Sequence, residues 1–445
     1  MQCTPPFYLL PLISTMAATA LLLPVLLLSA SVAATVVAES CRSWPDDADT
    51  LPILHIHGKC SPFAAPSTSS WPDTVMHMAN NDPARLAYLA NLATVVPIAS
   101  AQQILHTGNY IVRAKFGTPG QLMFMVLDTS NDAAWVPCTN CSGCPSTPSA
   151  ASFTPNSSST YAPLPCTVPA CTQARLPSCV SGLCYFNQSY GGDSSFSAVL
   201  SQDTLRLAMD LISNYTFGCV RSAAGGSLPP QGLLGLGRGP ASLLSQAGML
   251  YQRTFSYCLP SFKSYYFSGS LRLGPASQPK HIRTTPLLTS SHRPSLYYAN
   301  LTAISIGALL VPVPGFNPLT GAGTIIDSGT VISRFVAPVY EAVRDEFKRV
   351  VAGPFSPLGA FDTCFPAPMD VPTVTLHFEG LDLVLPAENV LIHASEGSLA
   401  CLAMAATPGD VNLALNVIAN LQQQNHRLLF DLPNARLGIA REACN

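Results

Sequence analysis

Charge is scarce in this chain: Asp, Glu, Lys and Arg together make up 10% of its 445 residues, and the formal net charge is −2. It has no Lys/Arg cluster or basic stripe, which excludes a protein built to neutralise phosphates, so no nucleic-acid partner is expected. Two hydrolase signatures are also missing. There is no Gly-x-Ser-x-Gly turn to present a serine nucleophile and no His-Glu-x-x-His pair to hold a catalytic zinc. Long helical patterns are rare, because 40 prolines and 29 glycines cut the chain into short runs suited to strands and turns.

What is present begins with an apolar run, "AATALLLPVLLLSASVAATVVA" at 17–38, that ends in small residues. It reads as a signal peptide over 1–38 cleaved after Ala38, with a membrane anchor as the alternative and Met16 as a second candidate start. Residues 39–105 differ from the strand-rich remainder of the chain and contain "DPARLAYLANLATVV", where Asp82 is placed as a helix N-cap and Pro83 in the first turn. A propeptide is the expected role of this segment; an ordinary N-terminal subdomain is the alternative.

Of 15 cysteines, Cys138, Cys141, Cys144, Cys166, Cys171, Cys179, Cys184, Cys219, Cys258, Cys364, Cys401 and Cys444 form an even set downstream of that segment. Disulfides in an oxidising compartment are expected; the Cys-x2-Cys-x2-Cys spacing at 138–144 also admits a zinc site. Asn156, Asn187, Asn214 and Asn300 head Asn-x-Ser/Thr sequons and are glycosylation candidates, whereas Asn140 sits inside the cysteine cluster. These features point to secretion outside the cell, with no membrane partner once the leader is gone.

From residue 108 onward the pattern is strand, turn, strand. The exception is an amphipathic helix over 337–353, with Val339, Val343, Phe347, Val350 and Val351 as its apolar face and Gly353 as its stop. A weak internal duplication organises this body. "VLDTS" (126–130) is followed later by "GLLGLG" (232–237), and "IIDSG" (325–329) by "VIAN" (417–420). Each half thus has paired apolar residues running into Asp, a hydroxyl residue and a small residue, then a second apolar strand. An acid at the end of a buried strand is costly unless hydrogen-bonded or functional. If Asp128 and Asp327 face each other they share one proton and can activate a water without metal or covalent intermediate.

The chain resembles the pepsin-type aspartic proteases, in particular the plant nepenthesin and nucleoid DNA-binding-like branch, over residues 108–445. The motifs carrying the resemblance include "GNYIVRAKFGTPGQ", "LDTSNDAAWVPC", "SYGGDSSFSAVLSQDTL", "GLLGLGRGPASLLSQ", "IIDSGT" and "VIANLQQQNHRLLFDLPNARLGIAREAC". It implies an all-β, mainly antiparallel, bilobal acid protease fold with a few short helices, the lobes spanning 106–285 and 286–445. It also implies a monomeric secreted endopeptidase acting on polypeptides at acidic pH, with no cofactor and no metal, and six disulfides. Cys364–Cys401 and Cys258–Cys444 are the bridges expected in the second lobe.

Carried over residue by residue, Asp128 and Asp327 are the catalytic pair. Thr129 and Ser328 cross-link the two active-site loops, Ser130, Gly329 and Thr330 support the carboxylates, and Tyr190 is the flap tyrosine with Trp135 beneath it. Two residues depart from the family pattern beside Asp128. Ser130 stands where glycine is usual, which is costly if the turn needs positive φ, and its hydroxyl is expected to add a donor near Asp128. Asn131 replaces a hydroxyl residue and can still donate to Asp128. Ala419 replaces a glycine in the second lobe. The alternative function is a weak or inactive member of the fold that inhibits microbial glycosidases. The branch nickname also suggests DNA binding, which the charge content opposes.

Overall fold

The computed structural model describes residues 50–56, 61, 75–76, 78–79, 82, 110–145, 151–189, 194–225, 228–261, 269–394, 397–408 and 415–444. The signal-peptide reading and the helix expected after Pro83 lie outside these residues, as do Tyr190, Cys41 and Cys60.

The described body is built mainly from strands, as the all-β expectation required. Its two halves repeat one local topology. In the first, Gln121–Asp128 pairs antiparallel with Tyr110–Phe116, and its end runs parallel to Leu233–Gly235, with Leu127 opposite Leu234 and Asp128 opposite Gly235. Leu233 in turn pairs antiparallel with Trp135. In the second, Gly323–Ile326 runs parallel to Leu415–Ile418, and Val417 pairs antiparallel with Arg334. Each Asp turn is thus held between the strand that leads into it and the one that leaves it. The paired strands are apolar on both faces because both faces are covered.

The halves are joined by strands that cross between them: Thr254–Cys258 pairs with His426–Asp431, and Arg283–Leu288 with Arg436–Arg441. Aromatic packing fixes this junction, with Phe255 stacked on Phe430 at 4.6 Å and Tyr297 edge-on to Phe430 at 4.7 Å. Thr50–His55, inside the segment read as a propeptide, is itself a strand of this sheet. It lies between Gly269–Leu273 and Tyr110–Phe116 and buries Leu51, Ile53 and Leu54.

Two local expectations are corrected. The helix spans Ala337–Val351 and ends at Ala352, which adopts the left-handed conformation, so Gly353 lies beyond the cap. Val339, Val343, Phe347 and Val351 recur every four residues and are buried, but Val350 falls off that stripe and is 43% exposed. Asp82 is not an N-cap: it is itself helical, is 3% exposed, and its carboxylate accepts from Val331 N–H (2.9 Å) and Ile332 N–H (3.0 Å).

All twelve downstream cysteines are disulfide-bonded, as Cys138–Cys219, Cys141–Cys144, Cys166–Cys179, Cys171–Cys184, Cys258–Cys444 and Cys364–Cys401. Both expected second-lobe bridges are present. The sulfurs of 138–144 are consumed in two bridges, which removes the thiolates a zinc site there would need. Asn156, Asn187 and Asn214 are exposed, and Asn300 is half-buried against Glu379.

Candidate active site

The two turns meet with both carboxyl groups fully buried. Reciprocal bonds tie the loops: Thr129 N–H donates to Ser328 Oγ (3.2 Å), and Ser328 N–H donates to Thr129 Oγ1 (3.0 Å). Ser328 Oγ then donates onward to the Leu127 carbonyl at 3.1 Å. Ser328 needs a hydroxyl because its Oγ accepts the Thr129 N–H while donating to the Leu127 carbonyl, and Thr129 needs an oxygen there to accept the Ser328 N–H.

Asp128 is held by Ser130 N–H on Oδ1 (2.8 Å) and Asn131 Nδ2 on Oδ2 (2.5 Å). Asp327 is held by Gly329 N–H on Oδ1 (3.1 Å) and Thr330 Oγ1 on Oδ2 (2.5 Å). The structure corrects the reading of Ser130. Its φ is not positive, so its Cβ carries no strain, and its hydroxyl donates to Asp327 Oδ1 (2.7 Å) rather than to Asp128. Ser130 therefore touches both carboxylates, one through the backbone and one through the side chain.

Several supporting residues were not singled out from sequence. Gln188, on the strand Leu183–Ser189 that leads to Tyr190, donates Nε2 to Asn131 Oδ1 at 3.1 Å. Asp132 lies under the first turn, where it accepts from Gly239 N–H (2.8 Å) and Ser295 Oγ (2.5 Å). Burial pushes its carboxyl above the ordinary range, Ser295 and Gly239 pull it down, and the Asp128 charge pushes it up further. This acid explains the spacing of "GLGRG": a Cβ on Gly237 or Gly239 would come within 2.3 or 2.2 Å of an Asp132 carboxylate oxygen.

On the other side, Gln423 donates Nε2 to the Asp327 carbonyl (3.1 Å) and accepts from Tyr257 Oη (2.6 Å), while Asn420 donates to the Ser328 carbonyl (3.0 Å). The signal for these was the run "NLQQQ", whose amides are all buried among apolar neighbours. Buried amides can satisfy loop carbonyls and N–H groups at once.

Trp135 is buried against Phe196 (4.8 Å), and its Nε1 has no hydrogen-bond partner among the described residues. Ala419 is fully buried and donates its N–H to Ser333 Oγ at 3.0 Å.

Two acids delivered by a duplicated β body, each in an Asp-hydroxyl-small turn and cross-linked through their hydroxyls, define a pepsin-type site. Family models described as xylanase inhibitor N-terminal and xylanase inhibitor C-terminal match residues 110–275 and 296–441. "Aspartyl protease AED3" of Arabidopsis thaliana is 58% identical over 431 residues, covering 92% of this chain and 95% of that protein. "Aspartyl protease 25" of Oryza sativa subsp. japonica is 49% identical over 85% of this chain and 93% of its own length. "Aspartic proteinase nepenthesin-1" of Nepenthes gracilis is 35% identical over 76% and 78%. Among solved structures, basic 7S globulin from soybean superposes with a TM-score of 0.60 at 19% identity, covering 76% of this chain and 95% of that one. The chain belongs to the pepsin-type plant aspartyl protease family. Among the described residues, no helix is long and apolar enough to cross a membrane.

Proposed function

We propose that the chain is an aspartic endopeptidase in which Asp128 and Asp327 act as one acid–base unit on a water molecule. The observation that carries this reading is Ser130, whose N–H reaches Asp128 while its hydroxyl reaches Asp327. The backbone N–H and the Oγ of one residue lie only a few bonds apart, so they cannot reach both carboxylates unless the two face a common centre. Two carboxyls so placed cannot both ionise freely, so the pair holds one proton between them. The ionised member takes a proton from water as it attacks the peptide carbonyl, and the protonated member hydrogen-bonds the carbonyl oxygen. The amine then leaves with a proton from the pair. Buried donors around both acids hold them in place without reorganisation during the reaction.

This reading includes a secreted enzyme working at acidic pH, lobes meeting near 285/286, a leader over 1–38 and a removable segment over 39–105. Glycans at the exposed sequons and Tyr190 closing over substrate belong to it as well. The test is cleavage of casein across acidic to neutral pH, with pepstatin and with Asp128→Asn and Asp327→Asn. Pepstatin-sensitive cleavage abolished by either substitution supports the reading; none at any pH sinks it. A second reading, a non-catalytic binder of glycosidases, is favoured by the descriptions of the matching family models. Tight xylanase binding by a chain that cleaves nothing would establish it.

A further inference from the structure

Asp82 reaches across about 250 residues of chain to two consecutive N–H groups, Val331 and Ile332, that directly follow the Asp327–Thr330 turn. Each N–H meets a different carboxyl oxygen. Beside them Arg334, 4% exposed, donates Nη2 to the Ala79 carbonyl (3.0 Å) and Nη1 to the Ala406 carbonyl (3.2 Å), and its Nε is buried without a partner. Val75, Met78 and Ala79 cover an apolar floor of Val331, Ile332, Phe361, Ile392 and Leu421. The segment carrying Asp82 thus occupies a ready-made polar notch with apolar walls. Its carboxyl lies close enough to Asp327 to feel that charge.

We propose that the Val331 and Ile332 N–H groups, backed by Arg334, form a carboxyl-binding subsite of the substrate cleft. Asp82 holds it in the intact chain, and an Asp or Glu side chain of a polypeptide takes it once that segment is displaced. The inference rests on the proteolytic reading above and adds a side-chain preference to it. Two parallel donors suit two acceptor oxygens, whereas an amide would set its NH2 against one of the N–H groups. Displacement leaves both N–H donors and Nη2 of Arg334 without their present partners, and a buried donor left unmade is costly.

The subsite also has a pH sign. Burial raises the Asp82 carboxyl to about 6, against the pull of Arg334 and the two N–H donors and with a further push from Asp327; Tyr340 faces Arg334. A carboxyl whose value rises from 3.8 to about 6 on docking takes up a proton there, so the contact is strongest below 3.8 and weakens as pH rises through about 6. Acid therefore tightens this contact, and freeing the subsite requires cleavage of the segment, not titration of Asp82.

The test uses the full chain and its Asp82→Ala variant at about pH 4.5, below the raised carboxyl value. The probes are the peptide TVMHMANNDP, residues 74–83, and its Asp82→Asn version. Two readouts are taken: amide hydrogen exchange at Val331 and Ile332, and inhibition of cleavage of a neutral fluorogenic peptide. Asp82→Ala is expected to speed exchange at both amides by about tenfold or more. The acidic peptide is expected to restore protection and to compete with substrate at about tenfold lower concentration than the Asn version. In Asp82→Ala, a substrate carrying Glu is expected to be cleaved several-fold faster than its Gln twin. Equal action of the two peptides, or unchanged exchange in Asp82→Ala, overturns the proposal. Selective protection in a chain that cleaves no peptide sinks the proteolytic reading and leaves the carboxyl site standing; cleavage without discrimination does the reverse.

Discussion

Ser130 donates its hydroxyl to Asp327 across the site, at 2.7 Å, while its own backbone serves Asp128. Ser130→Gly and Ser130→Ala both delete the cross-site bond and keep the N–H. Neither creates strain, because φ at this position is not positive. A hydrogen bond to the charged form favours it, so its loss should move the acid limb of the pH–rate profile upward. The rate at the optimum should change by about tenfold or less, since a single hydrogen bond to a charged group contributes about 1.5–3 kcal/mol and part is recovered from water. Gly and Ala should behave alike. A gain of several orders of magnitude in Ser130→Gly would show that serine cripples the site.

The chain Gln188–Asn131–Asp128 predicts coupling between the flap-side strand and the first acid. Asn131→Ala removes a donor from a buried carboxylate and should lower kcat by about 10–100-fold. Gln188→Leu should cost less, because it acts through Asn131. In the double variant the two losses should fall short of additive by about 0.5 kcal/mol or more. Additive losses would mean that Gln188 does not act through Asn131.

How far the site was legible depends on range. Asp128 and Asp327 could be read because each ends paired apolar residues and precedes a hydroxyl residue, and a repeated pattern needs no knowledge of the fold; the roles of Thr129, Ser328 and Thr330 came with the family resemblance. Asn131 could be read as a donor because it sits three residues from its acceptor. Ser130 could be read only halfway: its backbone bond is local, but its hydroxyl points to a partner 197 residues away. The Asp82 contact and the strand Thr50–His55 were hidden for the same reason. Local rules make Asp before Pro a helix start, and only the tertiary neighbours Val331 and Ile332 override that preference.

Asp132 and Ser295 give a prediction whose size depends on pH. Ser295→Ala removes the hydroxyl that pulls the buried Asp132 carboxyl down, leaving its burial and the Asp128 charge less opposed. The folded-state value is already raised above the ordinary 3.8, so folding takes up a proton here and the cost of burial grows as pH rises past that value. Ser295→Ala should therefore destabilise by about 1–3 kcal/mol at neutral pH, and by less in acid, where Asp132 is protonated. Urea midpoints at the two pH values measure this. A loss that is larger in acid would contradict the assignment.

Arg427 and Glu442 carry the opposite sign. Arg427 is 1% exposed and donates Nε and Nη2 to the two Glu442 oxygens at 2.7 and 2.6 Å, with Ser256 and Ser270 taking further bonds from it. The hydrogen bonds from Arg427 hold the Glu442 carboxyl below its ordinary 4.5 against some desolvation, with Arg427 and Arg272 charge assisting. A carboxyl with a lowered folded value contributes stability above 4.5 that is lost as pH falls through the folded value. Removing one partner of a buried pair leaves the other uncompensated, at about 3–5 kcal/mol when both are dry. Glu442 is 36% exposed on its side chain, so solvent screening should reduce the loss in Glu442→Gln to about 2 kcal/mol at neutral pH. The gap between wild type and variant should narrow as pH falls below 4.5 and through the lowered folded value of Glu442. Cys444, two residues further on, is bridged to Cys258 on the adjoining strand and holds the chain end in place. The variant should therefore unfold at lower urea without first releasing its C-terminus, and a gap that does not narrow in acid would show that the pair contributes packing and no charge.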